Sequence, residues 1–200
     1  MSSLPRQALE SWVKSLKIKA DKVLDVGGAQ KPVKGRTGEW NVREYLISDI
    51  EEPHDNSPEP DWMFDLSKSV PIIREFQNYT DYFDAIFCLE VMEYVSDPVQ
   101  AIKNLNELTK KGGKLYISFN FSYATHNPPG LDYFRYTRFG VEQLLENNGF
   151  KILSLIPRTC EMNTGYPELM QFYSKQGMKY TKDCGNVHSE TGHLVVAEKI

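Results

Sequence analysis

The chain has 200 residues, 40% hydrophobic and 25% charged, with a formal net charge of −4. That length suits one domain able to bury a substantial core, and the acidic balance gives no electrostatic reason to expect nucleic acid as a partner. No apolar run is long enough to span a bilayer, and the start MSSLPRQALESWVKSL reads as an amphipathic helix rather than a signal peptide.

Short apolar stretches alternate with helical ones, without repeats or low-complexity segments, the pattern of a mostly parallel α/β sheet. The opening helix, residues 4–16 within an N-terminal region 1–20, sets Leu9, Trp12, Val13 and Leu16 on one face. A first strand is expected from Lys22 to Val26 and a second, EYLISDI, from Glu44 to Ile50. Pro32, Gly35 and Gly38 interrupt the connection between them, so only a short or irregular helix is expected there.

A polar loop with three prolines, EEPHDNSPEPD, precedes the short strand WMFDL, and SVPIIREFQNYT then suggests a helix with Ile72, Ile73 and Phe76 inward. FDAIFCLEV, Phe83 to Val91, reads as a buried strand. The next helix takes Asp97 as N-cap and Pro98 in its first turn, with lysines in its last turn and Gly112 as its stop. KLYISFNF is a strand, and TRFGVEQLLENNGF a helix bounded by Thr137 and Gly149. KILSLIP and GHLVVAEKI close the chain as strands, a late pair suited to an antiparallel sheet edge. Residues 158–191 form an irregular, substrate-side insertion in what otherwise reads as a single domain over residues 1–200.

In open α/β sheets, ligands bind beyond the carboxyl ends of the strands. Gly27 and Gly28 follow strand one and allow close backbone approach; Asp49 follows strand two and could accept from both hydroxyls of a ribose. Asp65 and Leu66 follow strand three, where the carboxylate suits an exocyclic amine; Leu89 and Glu90 follow strand four and suit an ammonium group. Each also has a plainer reading: the glycines as a turn, Asp49 as a helix cap or solvated loop charge, Asp65 as a helix cap. In order at four strand ends, they match what a nucleoside amino acid requires.

The chain resembles the class I S-adenosylmethionine-dependent methyltransferases over nearly its whole length. VLDVGGAQKP resembles that family's first motif, SDI its ribose-binding turn, FDL its adenine turn, and FDAIFCLEVMEYVSDPVQAIKNLNELTKKGGKLYIS its fourth and fifth strands. The resemblance implies a Rossmann-like, seven-stranded, mostly parallel sheet with an antiparallel last strand and helices on both faces. It also implies S-adenosylmethionine as cofactor, contacted by Asp25, Gly27, Gly28, Asp49, Ile50, Asp65, Leu66, Leu89 and Glu90. Two positions depart from the family pattern: Ala29 stands where a further glycine is common, and Tyr94 where histidine is frequent. The methyl of Ala29 is expected to leave cofactor binding in place, with affinity the open question.

HNPPGLDYFRYTRFGVEQLLENNGF, His126 to Phe150, resembles a signature of a methyltransferase subgroup associated with glycan and polysaccharide synthesis. This implies a small-molecule or glycan-type acceptor, O-methylation, and His126 as general base, since its ordinary pKa lies near neutrality. Alternatively, His126 and Asp132 fix the loop while Tyr133, Phe134 and Tyr136 pack it; Arg135 either pairs with Asp132 or meets an acidic substrate.

Cys88, Cys160 and Cys184 are odd in number and far apart, which suggests free thiols and a cytoplasmic setting. Cys184, His188 and His193 lack the fourth ligand of a zinc site, so no metal is expected, and His193 fits the start of the last strand. No nucleic acid and no membrane insertion are expected, and oligomeric state is not legible. Two other classes stay open: a catalytically idle subunit with the cofactor fold, and an NAD-dependent dehydrogenase, against which the absent G-x-G-x-x-G counts.

Overall fold

The computed structural model describes residues 4–51, 58–68, 79–123, 125, 130–159 and 190–200. Most of the expected helix SVPIIREFQNYT, the middle of the acidic loop, His126, Cys160, Cys184, His188 and nearly all of the 158–191 insertion lie outside these residues.

Helix α1 (Leu4–Ser15) buries Leu9, Trp12 and Val13, as its three- and four-residue spacing dictates. It ends where the Leu16 carbonyl accepts from the amides of Gly38 and Glu39, which ties it to the start of the second strand. Strands β1 (Lys17–Val26) and β2 (Glu39–Asp49) both begin well before Lys22 and Glu44. Their parallel ladder runs back to the Lys17–Glu39 pair. The early residues alternate exposed and covered side chains, so a half-covered strand start resembles a polar loop when read as sequence.

The β1–β2 connection carries turns and bends but no helix, short or otherwise. Its conformation is held by specific anchors instead. The Val33 amide donates to Asp25 Oδ2 (2.7 Å), and Arg36 binds Glu10 of α1 through Nε and Nη2 at 3.1 and 2.9 Å.

Strand β3 (Trp62–Met63) is two residues long, and β4 (Phe83–Cys88) stops before Val91 because Glu90 has φ of +60°. A short 3-10 turn, Met92–Tyr94, leads to α2 (Pro98–Leu108). Asp97 caps α2 by accepting from the Gln100 amide at 3.0 Å. The helix ends at Leu108, so the lysines lie beyond its last turn and Gly112 is not its stop. Thr109 turns extended and opens β5 (Thr109–Asn120), Lys110 pairs with Asp84 at 2.6 Å, and Gly112, at φ +76°, bends the new strand.

Thr137 caps α3 (Arg138–Glu146), accepting from the Gly140 amide at 3.2 Å, and Gly149 follows at φ +82° before β6 (Phe150–Thr159). The last strand is β7 (Glu190–Lys199).

The seven strands form one sheet in the order β3-β2-β1-β4-β5-β7-β6. Neighbours from β3 to β5 are parallel, while β7 enters antiparallel between β5 and β6. The late pair therefore does not simply extend the edge: only β7 is reversed, and β6 lies outermost. Helices cover both faces. On one, α1 packs with Val23, Ala85, Phe87, Tyr116 and Leu194. On the other, α2 and α3 pack with Leu24, Ile86, Leu115, Ile117 and Phe119. Among the described residues, no helix is long and apolar enough to cross a membrane.

Candidate cofactor and acceptor site

The strand order reverses between β1 and β4, and their carboxyl ends meet at close range. Gly27 has φ of +72°, its amide donates to the Ser48 carbonyl at 2.7 Å, and a Cβ built on it would lie 2.3 Å from Val91 Cγ2. A Cβ on Gly28 would lie 2.6 Å from both Cγ and Oδ2 of Asp25. The two glycines therefore answer different demands: Gly27 a left-handed turn beneath the residue that follows β4, Gly28 the approach of a buried carboxylate. Ala29 is 2% exposed, so its methyl is covered by protein.

Asp25 sits beneath this turn. Its Oδ2 accepts from Tyr45 Oη at 2.5 Å and from the Val33 amide at 2.7 Å. Burial raises its pKa to about 6, against the opposing pull of those hydrogen bonds. Asp49 joins the ends of β1 and β2: Oδ2 accepts from the Ala29 amide (3.1 Å) and Oδ1 from the Ile50 amide (2.9 Å). Each carboxylate oxygen keeps a further lone pair for a ligand hydroxyl. Ile50, beside it, is 47% exposed.

At β3, Asp65 Oδ1 accepts from the Ser67 amide at 2.9 Å, so the carboxylate braces the turn that follows; the helix it was expected to cap lies mostly outside the described residues. Leu66 is buried and its carbonyl accepts from Asn104 Nδ2 at 2.8 Å. Its side chain therefore meets the core.

At β4, Leu89 packs against the α1-side core, while both oxygens of Glu90 meet Arg158, at 2.6 and 3.1 Å. Behind Glu90 lies a network that strand-end reasoning did not foresee, made of Glu93, Asn120 and Arg158. Asn120 Nδ2 donates to Glu93 Oε1 (2.7 Å), and Asn120 Oδ1 accepts from Arg158 (3.1 Å). Burial first, and then the charge of Glu90, hold the Glu93 carboxyl well above the ordinary carboxylate range. Its Oε2 has no hydrogen-bond partner among the described residues. The sequence signal was an arginine at the end of an otherwise apolar strand, within a segment read as irregular.

The DYFRYT segment docks onto this platform. The amides of Tyr133 and Phe134 donate to the Glu93 carbonyl at 2.7 and 3.4 Å. Tyr136 donates through its amide to the Asn120 carbonyl and through its hydroxyl to the Met92 carbonyl, each at 2.8 Å. Its own carbonyl lies 3.1 Å from His193 Nε2, so His193 is a buried strand residue that supports the loop. Arg135 pairs with both oxygens of Asp132. Only Tyr136 packs fully; Tyr133 and Phe134 are 48% and 38% exposed, an aromatic surface beside the β4 turn.

Cys88 is buried, and burial raises its thiol pKa, which leaves it unreactive. Two open, charged grooves, one around Asp21, Arg43 and Asp84 and the other along Lys110 to Lys114, lie at the opposite ends of the strands, away from this constellation.

A family described as a methyltransferase domain matches residues 4–155. The chain belongs to that methyltransferase family. It is 43% identical over 54 residues to a ubiquinone biosynthesis O-methyltransferase of Coxiella burnetii, a match spanning 26% of this chain and 23% of that protein. It is 37% identical over 49 residues to a tRNA U34 carboxymethyltransferase of Campylobacter fetus, 24% of this chain and 17% of the relative. The chain thus matches under a quarter of the length of either curated relative. A solved S-adenosylmethionine-dependent methyltransferase of Mesorhizobium loti aligns over 99% of both chains, with a TM-score of 0.60 and 14% identity, a likeness of fold. The close turn at Gly27 and Gly28 and the doubly anchored Asp49 carboxylate fit the S-adenosylmethionine expected from the sequence.

Proposed function

We propose that this methyltransferase carries a methyl group to a hydroxyl oxygen of a small-molecule or glycan-type acceptor. The observation that carries the reading is the convergence of Gly27, Asp49 and the Glu90 turn where β1, β2 and β4 end, beside the exposed rings of Tyr133 and Phe134. The bound cofactor supplies an activated methyl on a sulfonium, already a good leaving group.

This chain's residues then act mainly by alignment. Asp49 would receive the ribose hydroxyls, and the backbone at Gly27, Gly28 and Leu89 would hold the amino-acid end. Asp25 supports the first turn from beneath, while Asp65, Ile50 and Leu66 border the adenine side. Holding the acceptor oxygen in line with the methyl carbon can contribute several kcal/mol of the barrier reduction. His126 would serve as the general base that takes the proton of the acceptor hydroxyl.

The aromatic surface suits the apolar face of a sugar or other ring. Oxygen as the accepting atom is also supported by the O-methyl transfer named for the Coxiella relative. Incubation with S-adenosylmethionine and a panel of nucleotide sugars and small hydroxylated metabolites, following release of S-adenosylhomocysteine, tests the reading. Turnover with hydroxylated acceptors supports it; turnover only with tRNA, or methylation at nitrogen or carbon, overturns it.

A further inference from the structure

Glu90 is one of two described non-glycine residues with positive φ, at +60°, and it stands at the turn between β4 and the Met92–Tyr94 helix. A left-handed conformation costs an L-residue free energy that its surroundings must offset, and such residues concentrate at working sites. Here the surroundings are unusually complete. The Glu90 amide donates to Ser118 Oγ at 2.8 Å, and Ser118 Oγ lies 3.2 Å from Glu90 Oε1. Arg158 grips both carboxylate oxygens, and Arg6 of α1 approaches Oε2 at 3.9 Å.

Arg158 itself is 0% exposed. Its Nε donates to the Pro5 carbonyl (2.7 Å) and its Nη1 to Asn120 (3.1 Å), while its own carbonyl accepts from Thr191 Oγ1 at 2.8 Å. A buried cation is costly unless it is fully paired, and this one reaches β4 from β6, with β5 and β7 lying between in the sheet. The turn it secures is the one whose next residue, Val91, covers Gly27.

We infer that Arg158 is a positioning residue of the cofactor site: its two-pronged grip holds Glu90 in the left-handed conformation that sets the Leu89–Val91 turn against Gly27. The inference rests on the cofactor reading above. The Glu90 carboxylate then serves as an internal strut, and the turn offers the cofactor's ammonium group its backbone.

Calorimetric titration with S-adenosylmethionine tests this in two pairs of variants, each first checked for folding by circular dichroism. Glu90→Ala and Glu90→Gly both delete the strut, but only glycine adopts positive φ freely. Glu90→Gly is expected to bind about tenfold more tightly than Glu90→Ala. Arg158→Met is expected to raise Kd about tenfold in the wild-type background, yet not to weaken binding further once Glu90 is glycine.

Equal affinities for the alanine and glycine variants overturn the inference, as does an equal effect of Arg158→Met in both backgrounds. The alanine–glycine comparison leaves Arg158 in place, so equal affinities there overturn the inference even if Arg158→Met does not fold. A wild-type protein that binds no S-adenosylmethionine overturns the cofactor reading and the inference together. Binding by wild type with no alanine–glycine difference overturns the inference alone.

Discussion

Gly27→Ala isolates the geometry at the centre of the site. The left-handed φ of +72° costs an L-residue roughly 1–2 kcal/mol. The new methyl would stand 2.3 Å from Val91 Cγ2, and relieving such overpacking typically costs about 1–3 kcal/mol. Together these give a destabilisation of roughly 2–5 kcal/mol, read by urea unfolding followed by circular dichroism. Introducing the same change into a Val91→Ala background separates the two parts. The nearest remaining Val91 atom, Cβ, lies 3.7 Å from where the new methyl would sit, an ordinary contact. There the cost should fall to the backbone part, roughly 1–2 kcal/mol. An equal cost in both backgrounds, or a cost below about 0.5 kcal/mol in the first, refutes the reasoning.

Asp25 should make stability pH-dependent. Burial raises its pKa from 3.8 to about 6 in the folded chain, so its contribution is full below 3.8 and is lost as pH rises through about 6. Asp25→Asn should remove that slope from unfolding free energies measured between pH 3.8 and about 6, and identical slopes would contradict the assignment. His126→Ala should lower turnover about 10²–10⁴-fold while sparing cofactor affinity; full turnover would leave His126 a loop residue. Thr137→Ala removes the cap on α3 and should cost about 1 kcal/mol in the same unfolding assay, whereas no change would mean that the 3.2 Å contact to Gly140 contributes nothing.

The parts of the fold legible in the sequence are those where a local signal and a buried face agree. Asp97 and Thr137 cap the helices where expected, because a side-chain oxygen three residues before a free amide is a local feature. The early halves of β1 and β2 were hidden, because their pairing partners are distant in sequence and their exposed positions carry lysine, glutamate and asparagine. The lysines after Leu108 resembled a helix end, but Lys110 reaches Asp84, and the strand pairing with β4 claims that stretch. At the candidate site, the positions of Gly27, Asp49 and Glu90 at or just beyond strand ends could be read from order alone. Arg158 could not, since only the antiparallel insertion of β7 brings β6 to where its last residues reach Glu90.

The most direct test of the central claim, that these strand ends hold the cofactor, is calorimetric titration of wild type and Asp49→Ala with S-adenosylmethionine. Wild type should bind, and loss of the Asp49 carboxylate should weaken binding by about 1.5–3 kcal/mol, the usual worth of a hydrogen bond to a charged group. Unchanged affinity in Asp49→Ala would remove Asp49 from the site, and absence of wild-type binding at millimolar cofactor would contradict the account as a whole.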